Sequence, residues 1–407
     1  MRSIRMAGKG LENVRMDTVP VPAVGPKDIL CRVDATGVCT SNLKLIAQGG
    51  DHSLLAGWDV ARHPVILGEE GSLTVVAVGS EVSRDISLGQ RFAVQPAADV
   101  PPILHRERYR DGARGMRKTV VGYSLDGMLA DYFLVPPEVL AAQCLVPLPS
   151  DELAHFEVTL AEPFACVHKS QEKHVHLVKQ SPTSARQPRL GPLTGGTTVV
   201  IGAGTMGRMQ AEMAMRFAPR NLLVCAKVGA TTELVQRTLA VKAERLGINL
   251  EIVEPRDWTR ALRRIAPDGA DDIIVAVGSQ ETQQEALSQL AFSGVLNLFG
   301  GLRRGDHHLT LDSLEVHYRE VQLVGSSGGD AWDMRATLDL LASRQISGEN
   351  YVFGVGGLQH AVPLLRRMSN EKMNGRIILY PHVEMPEFIE TTRWTREDEA
   401  ALFAGVS

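Results

Sequence analysis

The run Thr197–Gly207, TTVVIGAGTMG, constrains this chain more than any other stretch: an apolar, β-branched strand enters glycines at 202, 204 and 207, and a helical pattern follows. Gly202 suits a tight turn, Gly204 lets backbone approach a pyrophosphate, and Gly207 lets a helix press against a sheet. With Thr205 and Met206 between them, these residues would present the unpaired amides and positive dipole end of a helix to phosphate groups. The helical run Arg208–Phe217 is stopped by Pro219. Glycine turns of this kind also arise for packing alone, but the flanks fit a dinucleotide site.

Downstream the pattern alternates strand and helix. LLVCAK, LEIVEP, DDIIVAVGS, GVLNLFGG and VQLVGSS are strand candidates with helical segments between several of them, which implies a parallel sheet covered on both faces. Upstream, to about Cys166, DILCRVDATGVC, GSLTVVAVGSEV and DGMLADYFLVPPE alternate apolar and polar residues between Gly and Pro turn signals, as a barrel-like β domain does. The Lys169–Gly196 segment is rich in Ser, Pro and Gly and reads as a connector or surface excursion. After Gly325 come a helical stretch, WDMRATLDLLASRQI, a second near Leu358–Met368, and a tail of mixed charge with room for a short terminal helix.

At 407 residues the chain exceeds what one core usually organises. A net charge of −4 offers no bias toward a polyanion, and no apolar run approaches membrane-spanning length, so neither nucleic acid nor a bilayer is an expected partner. The start, MRSIRMAGKG, lacks the apolar stretch of a secretory signal, and five scattered cysteines form no disulfide framework. A reduced, cytoplasmic protein is expected.

Chemistry-bearing residues lie in the first half: Cys39 in TGVCTSNLK, Glu69 and Glu70 in HPVILGEEG, and Glu162 in LAEPFACVHK. Taken in order, GVC, then GEE where GHE is usual, then DGMLADYFLVP, AEP and GAGTMG, the chain resembles the zinc-dependent medium-chain dehydrogenase/reductase family, including its polyol dehydrogenase branch. Further on, the VHY segment, GSSGG, the Asp-Met helix and GRIILYP are similar to the L-sorbose-1-phosphate reductase subgroup. The resemblance implies an α/β fold: a Rossmann doubly wound parallel sheet plus a β-rich, GroES-like catalytic domain. The expected division is 1–166 catalytic, 167–325 dinucleotide-binding, and 326–407 a return to the catalytic domain, with zinc in the cleft between.

In the family the metal is held by the GVC cysteine, the GHE histidine and, in the polyol branch, the EP glutamate. Those positions hold Cys39, Glu69 and Glu162 here. Glu69 is the departure that matters. Zinc accepts carboxylate oxygen beside thiolate, but this set carries more negative charge, which makes the ion a weaker Lewis acid. The competing reading is that the metal has been lost and these acids are solvated or paired. Glu70 would support the site or act as an exchanging ligand. Ser41 falls at the family's relay hydroxyl, and Lys44 stands where many members have a histidine that hands the proton to solvent, although a solvated lysine is the plainer reading. Asn42 stands where an aspartate is frequent. His168, His52 and His63 are left out of the catalytic set.

No acid follows the LLVCA strand to repel a 2′-phosphate, and Lys227 could attract one, so NADP is favoured modestly over NAD. The stretch between Pro96 and Tyr123 lacks the cysteines of a structural zinc lobe and carries Arg106, Arg108, Arg110, Arg114, Arg117 and Lys118, which suit either phosphate binding or a solvated loop. The expected activity is zinc-assisted, NAD(P)-dependent interconversion of a ketose or ketose phosphate and its polyol. A zinc-free reductase and a non-catalytic nucleotide-binding protein stand as alternatives. A homo-oligomer, dimer or tetramer, is expected through a Rossmann sheet edge, with GVLNLFGG near Leu298 as one candidate.

Overall fold

Apolar side chains on both faces of one sheet organise Cys166–Gly328, one of two compact units into which the chain folds; Met1–Ala165 and Gly329–Ser407 together make the other. The computed structural model describes residues 1–55, 57–83, 85–98, 118–303 and 305–405. Arg106, Arg108, Arg110, Arg114 and Arg117 lie outside the described residues.

In the 166–328 unit, six parallel strands run in the order Asn249–Val253, Asn221–Cys225, Thr197–Ile201, Ala270–Val275, Leu290–Asn297, Gln322–Val324. Counted along the chain this is third, second, first, fourth, fifth, sixth, the doubly wound order in which ligands bind where the direction of winding reverses. Val199, Ile201, Leu223, Cys225, Ile273 and Val275 pack with Trp258 and Leu262 on one face. Their neighbours Val200, Leu222, Val224 and Ile274 pack with Ala211, Val235 and Leu239 on the other. Burial on both faces is why these strands read as unbroken apolar runs rather than as alternation.

Two sequence expectations are refined here. Of the two readings of Lys169–Gly196, connector or surface excursion, the structure takes the second: its first residues finish the helix His155–Glu172, and Val175–Val178 pairs antiparallel with Gln187–Leu190, whose four residues are exposed. Polar residues hide this hairpin in the sequence, because it is pinned by charge rather than by apolar contact. His174 Nδ1 and His176 Nε2 lie 2.5 and 2.9 Å from Asp272 Oδ1, and the Leu193 amide donates to Asp272 Oδ2 at 2.7 Å. Asp272 is held below, and His176 above, its ordinary range, the hydrogen bonds between them outweighing burial. Second, the GVLNLFGG strand is not a sheet edge, since Leu290–Asn297 pairs with strands on both sides; among the described residues the edge on that side is Gln322–Val324.

In the other unit, the ten-residue strand Ile29–Val38 is central. It pairs with Gly71–Val78, with Tyr132–Leu134, and with Arg376–Leu379 from the far end of the chain. Two apolar clusters fill the unit, one around Ile4, Leu45, Trp58 and Leu365, the other around Ile29, Leu73, Phe92 and Phe133. The register sets the site: Thr36 lies opposite Gly71, so Glu70 comes level with Gly37, and Ile377 lies opposite Val38, so Arg376 comes beside Cys39.

Candidate active site

Cys39 follows the central strand Ile29–Val38 and is the N-cap of the helix Thr40–Gln48, which places Ser41 and Asn42 in the helix's first turn. Backbone bonds lock Glu70 to the strand: Gly37 N–H and the Thr36 hydroxyl both donate to the Glu70 carbonyl, at 3.1 and 2.9 Å. Gly37 cannot carry a side chain, because a Cβ there would overlap the Glu70 carboxylate. The result is a cluster in which ligand atoms of Cys39, Glu69 and Glu70 all lie within 4.8 Å of one another, each residue buried.

Glu162, on the helix His155–Glu172, is 9% exposed and does not join that set, but its charge acts on both Arg376 and Tyr123. The sequence reading put Glu162 third at the ion and Glu70 in a supporting role; the structure groups Glu70, and not Glu162, with Cys39 and Glu69. Ser41 donates its hydroxyl to Glu69 Oε1, and Asn42 Nδ2 donates to Glu69 Oε2 at 2.9 Å. Lys44 is exposed. It stands near His52, whose pKa is lowered by partial burial and by the Lys44 charge. The His52 ring lies 5.5 Å from that of Tyr123, and Tyr123 hydrogen-bonds Ser41.

Arg376 is the residue the sequence reading missed. Its Nη1 donates to Cys39 Sγ at 2.9 Å and lies 3.4 Å from Glu70 Oε1. Burial works against its charge, but Cys39, Glu70 and Glu162 together raise its pKa. The only cue was an arginine opening the otherwise apolar strand RIIL, all four residues of which are buried. Burial pushes the Cys39 thiol up to about 12, with Arg376 opposing the shift and Glu70 and Glu69 adding to it. Burial likewise raises Glu70 to about 7, against Arg376 and with Glu69.

Among the described residues, the acidic groups Cys39, Glu69, Glu70 and Glu162 gather about the Arg376 guanidinium. Burial favours the protonated forms of Cys39 and Glu70, and their ionised forms would be costly to bury without a further cation. A thiol and carboxylates converging on one point are a donor set that zinc accepts, and a divalent cation would offset the charge of the deprotonated forms, so these residues fit the metal.

In the 166–328 unit, Gly202 adopts φ +106°, reserved in practice for glycine, and a Cβ there would lie 2.5 Å from Val277 Cγ1. A Cβ at Gly207 would overlap the Gly202 carbonyl, so the helix Thr205–Ala214 comes against the loop as closely as backbone allows. Gly204 is different: nothing lies within 4 Å of where its Cβ would be, the open space a ligand's phosphates need. Thr205 and Met206 begin the helix that Gly204 caps. Lys227 is exposed just after Asn221–Cys225, with no acid at 226–228, although Glu254 Oε1 accepts the Val228 amide at 3.3 Å.

A doubly wound sheet with a phosphate loop and a separate β unit carrying a thiol–carboxylate cluster define a dehydrogenase of the alcohol dehydrogenase type. The chain belongs to the zinc-type medium-chain dehydrogenase/reductase family: residues 25–149 match the alcohol dehydrogenase GroES-like domain and residues 224–343 the zinc-binding dehydrogenase domain. It is an oxidoreductase. The chain is 29% identical over 364 residues to L-sorbose 1-phosphate reductase of Klebsiella pneumoniae, covering 88% of this chain and 83% of that one. It is 26% identical over 385 residues to mannitol-1-phosphate 5-dehydrogenase of Aliivibrio fischeri, covering 93% and 86%. Galactitol-1-phosphate dehydrogenase of Escherichia coli shares the fold, with a TM-score of 0.70 at 18% identity over 94% of this chain and 100% of that one.

Proposed function

We propose that this chain interconverts a ketose, or ketose phosphate, and the corresponding polyol by hydride transfer, with NADP favoured over NAD and a zinc ion held by Cys39 and Glu69 together with Glu70 or Glu162. The observation that carries the reading is the buried Cys39/Glu69/Glu70 cluster, whose ligand atoms converge within 4.8 Å of one another as donors to one divalent cation would. The similarity to sugar-phosphate reductases and dehydrogenases supports the substrate class. Bound zinc supplies Lewis-acid polarisation of a carbonyl oxygen, and the nicotinamide supplies the hydride.

The chain's own residues do the rest. Gly202, Gly204, Thr205, Met206 and Gly207 seat the dinucleotide phosphates on a helix N-terminus, and Lys227 meets a 2′-phosphate. Arg376 keeps Cys39 and Glu70 from repelling each other while the site is assembled. Ser41 holds a proton at its hydroxyl, within hydrogen-bonding reach of Tyr123, and His52 and Lys44 lie on the way to solvent. The absence of a disulfide among the described residues agrees with work in a reducing cytoplasm. Self-association through the Gln322–Val324 edge is supported by Phe292, Leu314 and Tyr318, which are 64%, 63% and 71% exposed.

One observation favours a zinc-free reductase: Arg376 already gives Cys39 a cationic partner. Metal analysis of protein purified without chelator, together with NADPH oxidation across ketoses and ketose phosphates, decides. About one zinc per chain, with turnover lost on chelation and restored by zinc, supports the proposal. Full turnover at a small fraction of a zinc per chain overturns it in favour of the metal-free reading.

A further inference from the structure

Glu69 is cradled by two donors from one turn of helix. Ser41 takes Oε1 and Asn42 Nδ2 takes Oε2, while both oxygens' remaining lone pairs are free for a ligand. Asn42 is fully buried, and its own Oδ1 has no hydrogen-bond partner among the described residues. The amide is therefore taken out of water at a cost of about 1–3 kcal/mol for that oxygen, and the bond it makes in return is the one to Glu69. Turning the amide over would set two acceptors face to face, so the network itself requires the N–H to point at the carboxylate. An aspartate at this position would place a second carboxylate about 3 Å from the first, and the like charges would repel.

We propose that Asn42 is a positioning residue for Glu69: its amide fixes the carboxylate in the orientation that lets it hold a divalent cation with Cys39. Positions 42 and 69 then work only as a matched donor–acceptor pair. A carboxylate at 69 needs a donor at 42. An imidazole at 69 binds metal through one nitrogen and donates its other N–H, so it needs an acceptor at 42. This inference rests on the reading that a metal binds at the cluster.

The test is a double-mutant cycle on the full chain, stripped of metal and titrated with Co²⁺ at pH 8. The readouts are thiolate-to-cobalt charge-transfer absorption and a dissociation constant from competition with a chromophoric chelator, with thermal melts of the metal-free forms to establish folding. N42D should weaken Co²⁺ binding by about 10–100-fold. In an E69H background the same aspartate should leave affinity unchanged or improve it. N42A, which deletes the donor without adding charge, should weaken binding by less than N42D and serves if N42D does not fold. An equal effect of N42D in both backgrounds, or an unchanged affinity in N42D or N42A, overturns the pairing while leaving the metal reading standing. Wild-type protein that develops no thiolate-to-cobalt band overturns the metal reading, and this inference with it.

Discussion

The Glu399 carboxylate accepts the backbone N–H of His155 at 2.7 Å, across 244 residues of chain. Its other oxygen accepts the Phe156 N–H at 2.9 Å and the Tyr380 hydroxyl at 2.8 Å. The terminal helix Arg396–Ala404 thus caps the first turn of the helix His155–Glu172, on which Glu162 sits about two turns further along. Arg396 adds a bond at 2.7 Å to Glu157, whose carboxylate also accepts the Ala154 amide. The C-terminal tail is therefore part of what holds Glu162 in place.

Removing that cap should be felt far from the tail. Glu399→Ala strips acceptors from two helix amides and a tyrosine and should cost about 2 kcal/mol or more of stability. Glu399→Gln, which keeps one acceptor oxygen, should cost less. Urea denaturation of the two variants checks this; equal midpoints for wild type and Glu399→Ala would show that the cap is immaterial.

His155 gives the stability a defined pH dependence. Burial first, then the Arg91 charge, lowers its pKa to about 4, while in the unfolded chain it titrates near 6.5. Between these values the unfolded state binds the proton and the folded state does not, so stability is full above about pH 6.5 and falls as pH drops toward 4, by roughly 3 kcal/mol if the whole window is crossed. Subtracting the urea-derived profile of a His155→Asn variant from that of wild type should isolate this slope. A flat difference between pH 6.5 and 4 contradicts it.

Arg376 should matter more to the empty site than to the loaded one. Arg376→Leu leaves Cys39 and Glu70 buried without their cation, and breaking a buried pair from one side costs about 3–5 kcal/mol. A divalent ion replaces part of the lost charge, so added zinc should narrow the gap in melting temperature between variant and wild type. Equal gaps with zinc and with chelator would mean that the ion and the guanidinium do not share these partners.

Lys227 should decide cofactor preference. Lys227→Ala removes the cation proposed for the 2′-phosphate, so KM for NADPH should rise about tenfold, the scale of one charge-assisted contact, with KM for NADH little changed. Steady-state rates with both cofactors measure the ratio; a parallel change in both would place Lys227 elsewhere.

Local pattern carried a large part of this fold. The nucleotide loop was legible because each glycine answers to its own neighbourhood: the turn at Gly202, the open space at Gly204, and the helix approach at Gly207. The strand–helix alternation was legible because burial on both faces leaves apolar runs in the chain. Cys39, Glu69, Glu70 and Glu162 could be singled out by their motifs, but not their arrangement, and GVLNLFGG could be read as a strand without revealing that it lies inside the sheet.

Tertiary structure decided what strand register and distant charge control. Arg376 reaches Cys39 only because a strand from the far end of the chain pairs with Ile29–Val38 at one register, and a slip of one residue would turn it to the opposite face. The His174–Asp272–His176 clamp, the Asn42–Glu69 bond and the Glu399 cap are likewise polar contacts between segments remote in sequence, made favourable by burial that no local periodicity records. Sequence alone determined which chemical groups this protein has at its disposal; the pairing of strands determined which of them meet, because hydrogen bonds and charge pairs depend on ångström distances that only the folded chain sets.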